Sequence, residues 1–160
     1  MHIRSFQQAD LPTLLDLTLA TFGPFYEGSY RGAVGPVVFE NRHGNWRQDY
    51  ADHLAALHDP ERGKHAAVAL LDDAIAGYVG WVLDTDARHG EIDILAVTES
   101  SRHRGVGRAL AEHAIAAAKD GGAEVVSIGT GGDPFHAPAR RLYESLGFIP
   151  FVNVNYTKAV

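Results

Sequence analysis

The sequence predicts a mixed α/β (α+β) fold: a mostly antiparallel central sheet flanked by helices, with one parallel strand pair splayed at one end. Three observations lead there. Two β-patterned runs, 65–71 and 75–83, meet across Asp72-Asp73, which is a hairpin signal. An apolar run at 91–97 passes through an Ala-rich helical stretch, 105–119, to a short buried run at 123–128. That strand–helix–strand order requires a parallel pair joined by a right-handed crossover. Apolar residues at helical spacing over 10–22 and 45–58 supply the flanking layer.

In chain order, 2–6 reads as a short strand. A helix follows over 10–22, with Asp10 as its N-cap, Pro12 in the first turn where the missing N–H costs nothing, and Leu11, Leu14, Leu15, Leu17 and Leu19 as the apolar stripe. Residues 23–44 break the pattern with Gly23, Pro24, Gly28, Gly32, Gly35, Pro36 and Gly44 among aromatic side chains. This is long for a passive connection, so it reads as a functional loop with room for a short helix. Trp46, Tyr50, Leu54 and Leu57 then fall on one side of a helix. After the hairpin and the crossover unit, Gly121-Gly122 end the Ala-rich helix. A Gly-Asp-Pro loop at 129–134 leads to a helix over 137–146 stopped by Gly147, and Val152, Val154 and Tyr156 give the tail 148–158 a β pattern. With no repeat or linker, residues 1–160 read as one domain.

Composition narrows the function. Hydrophobic residues make up 46% and charged residues 21%, a globular balance. The absence of Cys removes disulfides, thiolate metal sites and a Cys nucleophile. Nine His are scattered without metal-ligand spacing, so no metal is expected. A net charge of -6 argues against nucleic acid as partner and suits a cationic small molecule. No apolar run is long enough to span a membrane, and the N-terminus lacks a signal-peptide core, so the expected location is the cytoplasm.

The chemistry concentrates where the strand Ile92-Asp93-Ile94-Leu95-Ala96-Val97 feeds Arg102-His103-Arg104-Gly105-Val106-Gly107-Arg108. The first amides of a helix lack partners and carry the positive end of its dipole. Gly105 and Gly107 let backbone approach an anion, and three arginines add charge. From the glycines alone, a strand–helix turn with solvent-facing arginines is an equal reading. Neither GxGxxG nor GxxxxGK[ST] occurs, so a nucleotide would be held by a different phosphate loop.

The segment resembles the acyl-CoA signature of the GNAT N-acetyltransferase superfamily, Q/R-x-x-G-x-G/A after a Leu-Ala-Val strand end, with Arg102, Gly105 and Gly107 at its fixed positions. Ala139, Leu142, Tyr143, Gly147 and Phe148 match the superfamily's A-x-x-L-Y-x-x-x-G-F element, and Ile3-Arg4 with Asp10-Leu11 resembles its opening. His136 stands where Asn is frequent, and Glu99 where Pro is frequent. The resemblance implies a GNAT-like fold and acetyl-CoA as cofactor. It places acetyl-CoA on Leu95, Ala96 and Val97 and on Arg102, His103, Arg104, Gly105, Val106, Gly107 and Arg108, with His136 a further contact.

Acetyl transfer to an amine needs a neutral amine, donors for an oxyanion and a proton for the leaving thiolate. Without Cys, direct attack in a ternary complex is the economical route. The resemblance makes Tyr143 the acid; without the motif, a packed Tyr is the better reading. It also implies a base on the strand at 91–97. Glu91, eleven residues ahead of Arg102, and Asp93, nine ahead, are equal candidates. Strand alternation puts both on one face and Ile92 and Ile94 on the other. Phe25, Tyr26, Glu27, Tyr30 and Trp46 are candidates to line an acceptor site for a small cationic amine, aminoglycoside-like or polyamine-like, with Phe39, Glu40, Asp49 and Tyr50 beside them. Plain packing is an equal reading for Trp46 and Tyr50. Acetylation of a protein Lys or N-terminus and a non-catalytic CoA sensor are the alternatives, and a homodimer is left open.

Overall fold

A computed structural model describes residues 1–160. At its centre five strands lie in chain order: β1 (His2–Ser5), β2 (Lys64–Leu71), β3 (Ala74–Asp84), β4 (His89–Val97) and β5 (Val125–Ile128). Neighbours are antiparallel except β4 and β5, which are parallel. Asp72 and Asp73 join β2 to β3 with φ of 50° and 62°. Two left-handed residues make the tight turn whose twist matches the hairpin's.

The parallel pair is short. His89 lies opposite Val125 and Ile92 opposite Ile128, after which β5 ends while β4 runs on to Val97. The two strands therefore part beyond Ile92, as the sequence predicts. At the same point β4 carries a bulge: Gly80 of β3 faces Ile94 and Trp81 faces Ile92, leaving Asp93 as the extra residue. A bulge re-aims side chains. Ile92 packs on one face of the sheet and Ile94 on the other. This corrects the strict alternation that placed Ile92 and Ile94 together.

Helix α4 (Val106–Asp120) covers one face through Val106, Leu110, Ala114 and Ala118, spaced by four and packed on Ala67, Val79, Trp81 and Ile92. The other face is covered by α1 (Leu11–Pro24) and α3 (Trp46–Ala55), whose Leu14, Leu17 and Leu54 meet Ala66, Val68, Tyr78, Ile94 and Ala96. The run Ala66-Ala67-Val68-Ala69 divides between the two cores by strict alternation. Small side chains here let helices approach both faces closely. Thr18, fully buried in α1, donates to the Leu14 carbonyl at 2.6 Å and shares a 2.5 Å hydrogen bond with the Tyr78 hydroxyl, so that core polar pair is satisfied.

Three expectations are corrected. Residues 23–44 are not a loop: α1 runs through Pro24, a wide helical turn spans Phe25–Tyr30, and α2 covers Arg31–His43 with a break at Gly35, φ 79°. Aromatic packing overrides the glycine and proline content. Tyr26 stacks on Trp46 at 5.0 Å, and Tyr30 meets His43 edge-on at 4.9 Å. Asp10 does not cap α1. Its carboxylate accepts both terminal nitrogens of Arg4 at 2.8 Å and the Gln7 amide at 2.8 Å, tying β1 to the helix start. The last helix, α5 (Ala137–Ser145), is followed by no strand: the β-patterned tail leaves Ile149, Phe151 and Tyr156 more than nine-tenths exposed, because no neighbouring strand offers it a ladder.

Candidate active site

The junction of β4 and α4 is built from backbone. Gly105 precedes α4 at φ 81°, and a Cβ there would meet nothing within 4 Å, so the surface above it is open. No side chain caps this helix, and its first amides have no partner within the helix. Arg102 and Arg104 are exposed and make no ion pair, and His103, φ 61°, turns the chain between them. Such a set of unsatisfied amides and two uncommitted guanidiniums fits the pyrophosphate of a CoA. Arg108 is differently placed: its guanidinium donates to Ser145 Oγ at 2.7 Å and reaches Glu112 at 3.4 Å. Gly107 faces α5 rather than open space, since a Cβ there would touch Leu142 at 3.4 Å. The buried Val106 side chain anchors the helix, as Ala96 anchors the strand, so only their backbone can serve a ligand.

Where β4 and β5 part, a cavity of about 520 Å³ opens. Its floor is Ile92, Asp93, Ile94 and Leu95 of β4 with Ile128 at the end of β5 and Gly129 and Thr130 beyond it. One wall is α5 and the turn before it, with His136, Ala139 and Tyr143. The opposite wall is aromatic: Phe22, Phe25, Tyr26, Trp46 and Tyr50, with His43, Asp49 and His53 between them.

Of the sequence candidates, Asp93, Leu95, Tyr143, His136, Phe25, Tyr26 and Trp46 meet around this cavity; Glu91, Glu27 and Tyr30 do not line it. Glu91 is exposed on the stretch of β4 that still pairs with β5. Glu27 accepts from Trp46 Nε1 at 3.0 Å and from Arg47 at 2.9 Å, with Arg31 at 3.3 Å, and these donors hold its carboxyl below the usual range. Its role is to fix the wall from outside. Phe39 belongs to the core, and Glu40 is paired with Arg31. The acidity read from this region is therefore largely answered by Arg31 and Arg47, leaving Asp49 as its cavity carboxylate.

The electrostatics differ around the cavity. Burial pushes the Asp93 carboxyl up and Glu91 adds to this, while His53 and backbone donors partly offset it. His53 Nε2 stands 3.5 Å from Asp93 Oδ2. Burial alone pushes the Tyr143 phenol up, which keeps it protonated. His136 Nδ1 bonds to Asp133 Oδ2 at 2.6 Å, and the Phe25 ring meets the imidazole edge-on at 4.6 Å. His53 and His43 escaped the sequence reading. The available signal was spacing, since His53 follows Trp46 by two helical turns and so continues the aromatic stripe.

Residues 27–148 match the model of the acetyltransferase (GNAT) family. An uncharacterised N-acetyltransferase of Bacillus subtilis is 40% identical over 76 residues, 48% of this chain and 50% of that protein, so the match spans half of the relative's length. Among solved structures, a mutant Bacillus halodurans protein superposes with a TM-score of 0.77 at 19% identity, covering 100% of both chains. An aminoglycoside N-acetyltransferase in complex with CoA superposes at 0.66 with 15% identity, covering 99% of both. The fold and the family match place the chain in the acetyltransferase class. The chain belongs to the acetyltransferase (GNAT) family, with acetyl-CoA as its cofactor.

Proposed function

We propose that the protein moves the acetyl group of acetyl-CoA to a primary amine of a small cationic molecule, by direct attack in a ternary complex. The observation that carries this reading is the cavity itself. At about 520 Å³ it has the size of a small-molecule site, and residues of α1, α3 and α5 line its walls. Carboxylates of Asp49 and Asp93 line it together with aromatic rings, a lining that suits ammonium groups. An aminoglycoside-like or polyamine-like acceptor fits that chemistry, and the aminoglycoside N-acetyltransferase of similar fold agrees with it.

Bound acetyl-CoA supplies the activated thioester. The amides of residues 103–108 with Arg102 and Arg104 hold the pyrophosphate, and the free edge of β4 at Leu95 and Val97 guides the pantetheine. Of the two carboxylates on β4, Asp93 is the one at the cavity and serves removal of the ammonium proton, directly or through a neighbouring group. Glu91 lies outside the cavity and is the lesser candidate. Tyr143 gives the proton that the departing sulfur requires. We place this activity in the cytoplasm, and no helix is long and apolar enough to cross a membrane.

The test is thiol release from acetyl-CoA against aminoglycosides, polyamines and Lys-containing peptides. Turnover with a small polyamine or aminoglycoside is expected. Turnover only with a peptide or protein N-terminus overturns the acceptor class, and none with any amine favours a CoA sensor.

A further inference from the structure

We infer that His53, a residue no sequence motif marks, is the group that takes the proton from the acceptor amine, with Asp93 as its positioning partner. The inference deepens the acetyl-transfer reading and rests on it.

His53 projects from α3 into the cavity, 39% exposed, across from the Asp93 side chain at 28%. The two ring nitrogens differ. Nε2 is fully enclosed, makes no hydrogen bond, and has Asp93 Oδ2 at 3.5 Å as its ionic neighbour. A buried ring nitrogen without a partner is costly, and catalytic hydrogen bonds in ligand-free sites are characteristically long before substrate tightens them. A proton on Nε2, directed at the carboxylate, resolves the cost. That tautomer leaves Nδ1, which is neither enclosed nor bonded, with its lone pair available to the cavity.

Asp93 is poorly placed to touch the amine itself. Its Oδ1 lies over Gly80, where even a Cβ would stand only 3.0 Å away, and its Oδ2 is turned to His53. Oδ1 is thus beside Gly80 and Oδ2 beside His53. The bulge that makes Asp93 the extra residue of β4, and the missing side chain at Gly80, put the carboxylate there. Asp49, Tyr50, His43, His136 and Tyr143 share the cavity, but none of them forms an ion pair with His53. A neutral imidazole with its proton on one nitrogen offers a lone pair at the other, which suits a proton acceptor.

The step balances as follows. An ammonium R–NH3+ gives one proton to His53 Nδ1, and the resulting imidazolium is held by the Asp93 carboxylate. The freed lone pair forms the C–N bond to the thioester carbonyl carbon, and the C–S bond breaks with its electron pair on sulfur. The second proton lost by nitrogen as the amide forms balances the one the sulfur acquires. His53 returns its proton to solvent.

The test combines kinetics with a measurement that needs no turnover. Thiol release is followed for wild type, His53→Gln, and His53→Ala with and without free imidazole, alongside acetyl-CoA affinity; nitrogen NMR of the ligand-free protein reads the His53 tautomer. Expected are a loss in kcat of roughly 100- to 10,000-fold in both variants, unchanged acetyl-CoA affinity, partial rescue of His53→Ala by imidazole, and a proton on Nε2 whose preference disappears in Asp93→Asn. Wild-type kcat in His53→Gln, or a proton resident on Nδ1 in the neutral ring, overturns the assignment while leaving acetyl transfer intact. A wild-type protein that acetylates no amine overturns both.

Discussion

The two sides of the cleft are made by different means. The side we propose for the donor, from β4 through the first turn of α4, is a backbone device: a strand end, a left-handed glycine and a row of uncapped amides. The side we propose for the acceptor, from Phe22 to His53, is a side-chain device, in which rings on α1, the turn after it and α3 hold one another in place. A backbone site needs particular residue types at fixed spacing, so it leaves a motif. A side-chain wall needs only shapes that fit, and many sequences supply them. The difference teaches that such a protein shows its cofactor in its sequence far more readily than its substrate.

The largest effect separates chemistry from both sides. Tyr143→Phe keeps the ring that lines the cavity and removes its proton, so kcat should fall by roughly 100- to 10,000-fold with little change in acetyl-CoA affinity. Steady-state kinetics beside calorimetry reads both numbers. Wild-type kcat would mean that water protonates the sulfur and Tyr143 only packs.

Next in size, Gly105→Val strikes the donor side alone. Open space surrounds the position, so the obstacle is φ 81° and not crowding. Holding a β-branched residue there costs about 1–3 kcal/mol, and a loop that relaxes from it misdirects the amides. Acetyl-CoA affinity should drop by about 10- to 100-fold while acceptor binding is retained. Equal weakening of both ligands would break the separation between the two sides.

A smaller effect is expected from Glu27→Ala, which leaves Trp46 Nε1 without its acceptor and Arg47 without its partner. Glu27 lies outside the cavity, so the acceptor KM should rise a few-fold with acetyl-CoA affinity untouched. Trp46 fluorescence reports whether the ring has moved. An unchanged KM with a shifted spectrum would show that the aromatic wall does not contact the amine.

Much of the fold was legible because it rests on local rules. The Asp72-Asp73 hairpin, the Ala-rich helix stopped before Gly122 and the parallel crossover all follow from periodicity and turn chemistry. The helical course of 23–44 was not, since its glycines and prolines argue against helix and only contacts with Trp46 and His43 overrule them. Nor was the tail, whose alternation predicts a strand that finds no neighbour.

By itself the sequence marked the segment we propose for the cofactor, since Arg102, Gly105 and Gly107 carry a backbone geometry that residue type and spacing specify. The tertiary structure alone decided which acidic and aromatic residues line the cavity. Glu27 and Asp93 are both carboxylates beside apolar neighbours in the chain, yet one is bound by Arg47 and Trp46 outside the wall and the other sits at the cavity floor beside His53. The physical reason is that a bulge in β4 and the packing of α3 against the sheet set where those side chains point, and both depend on contacts between residues far apart in the chain.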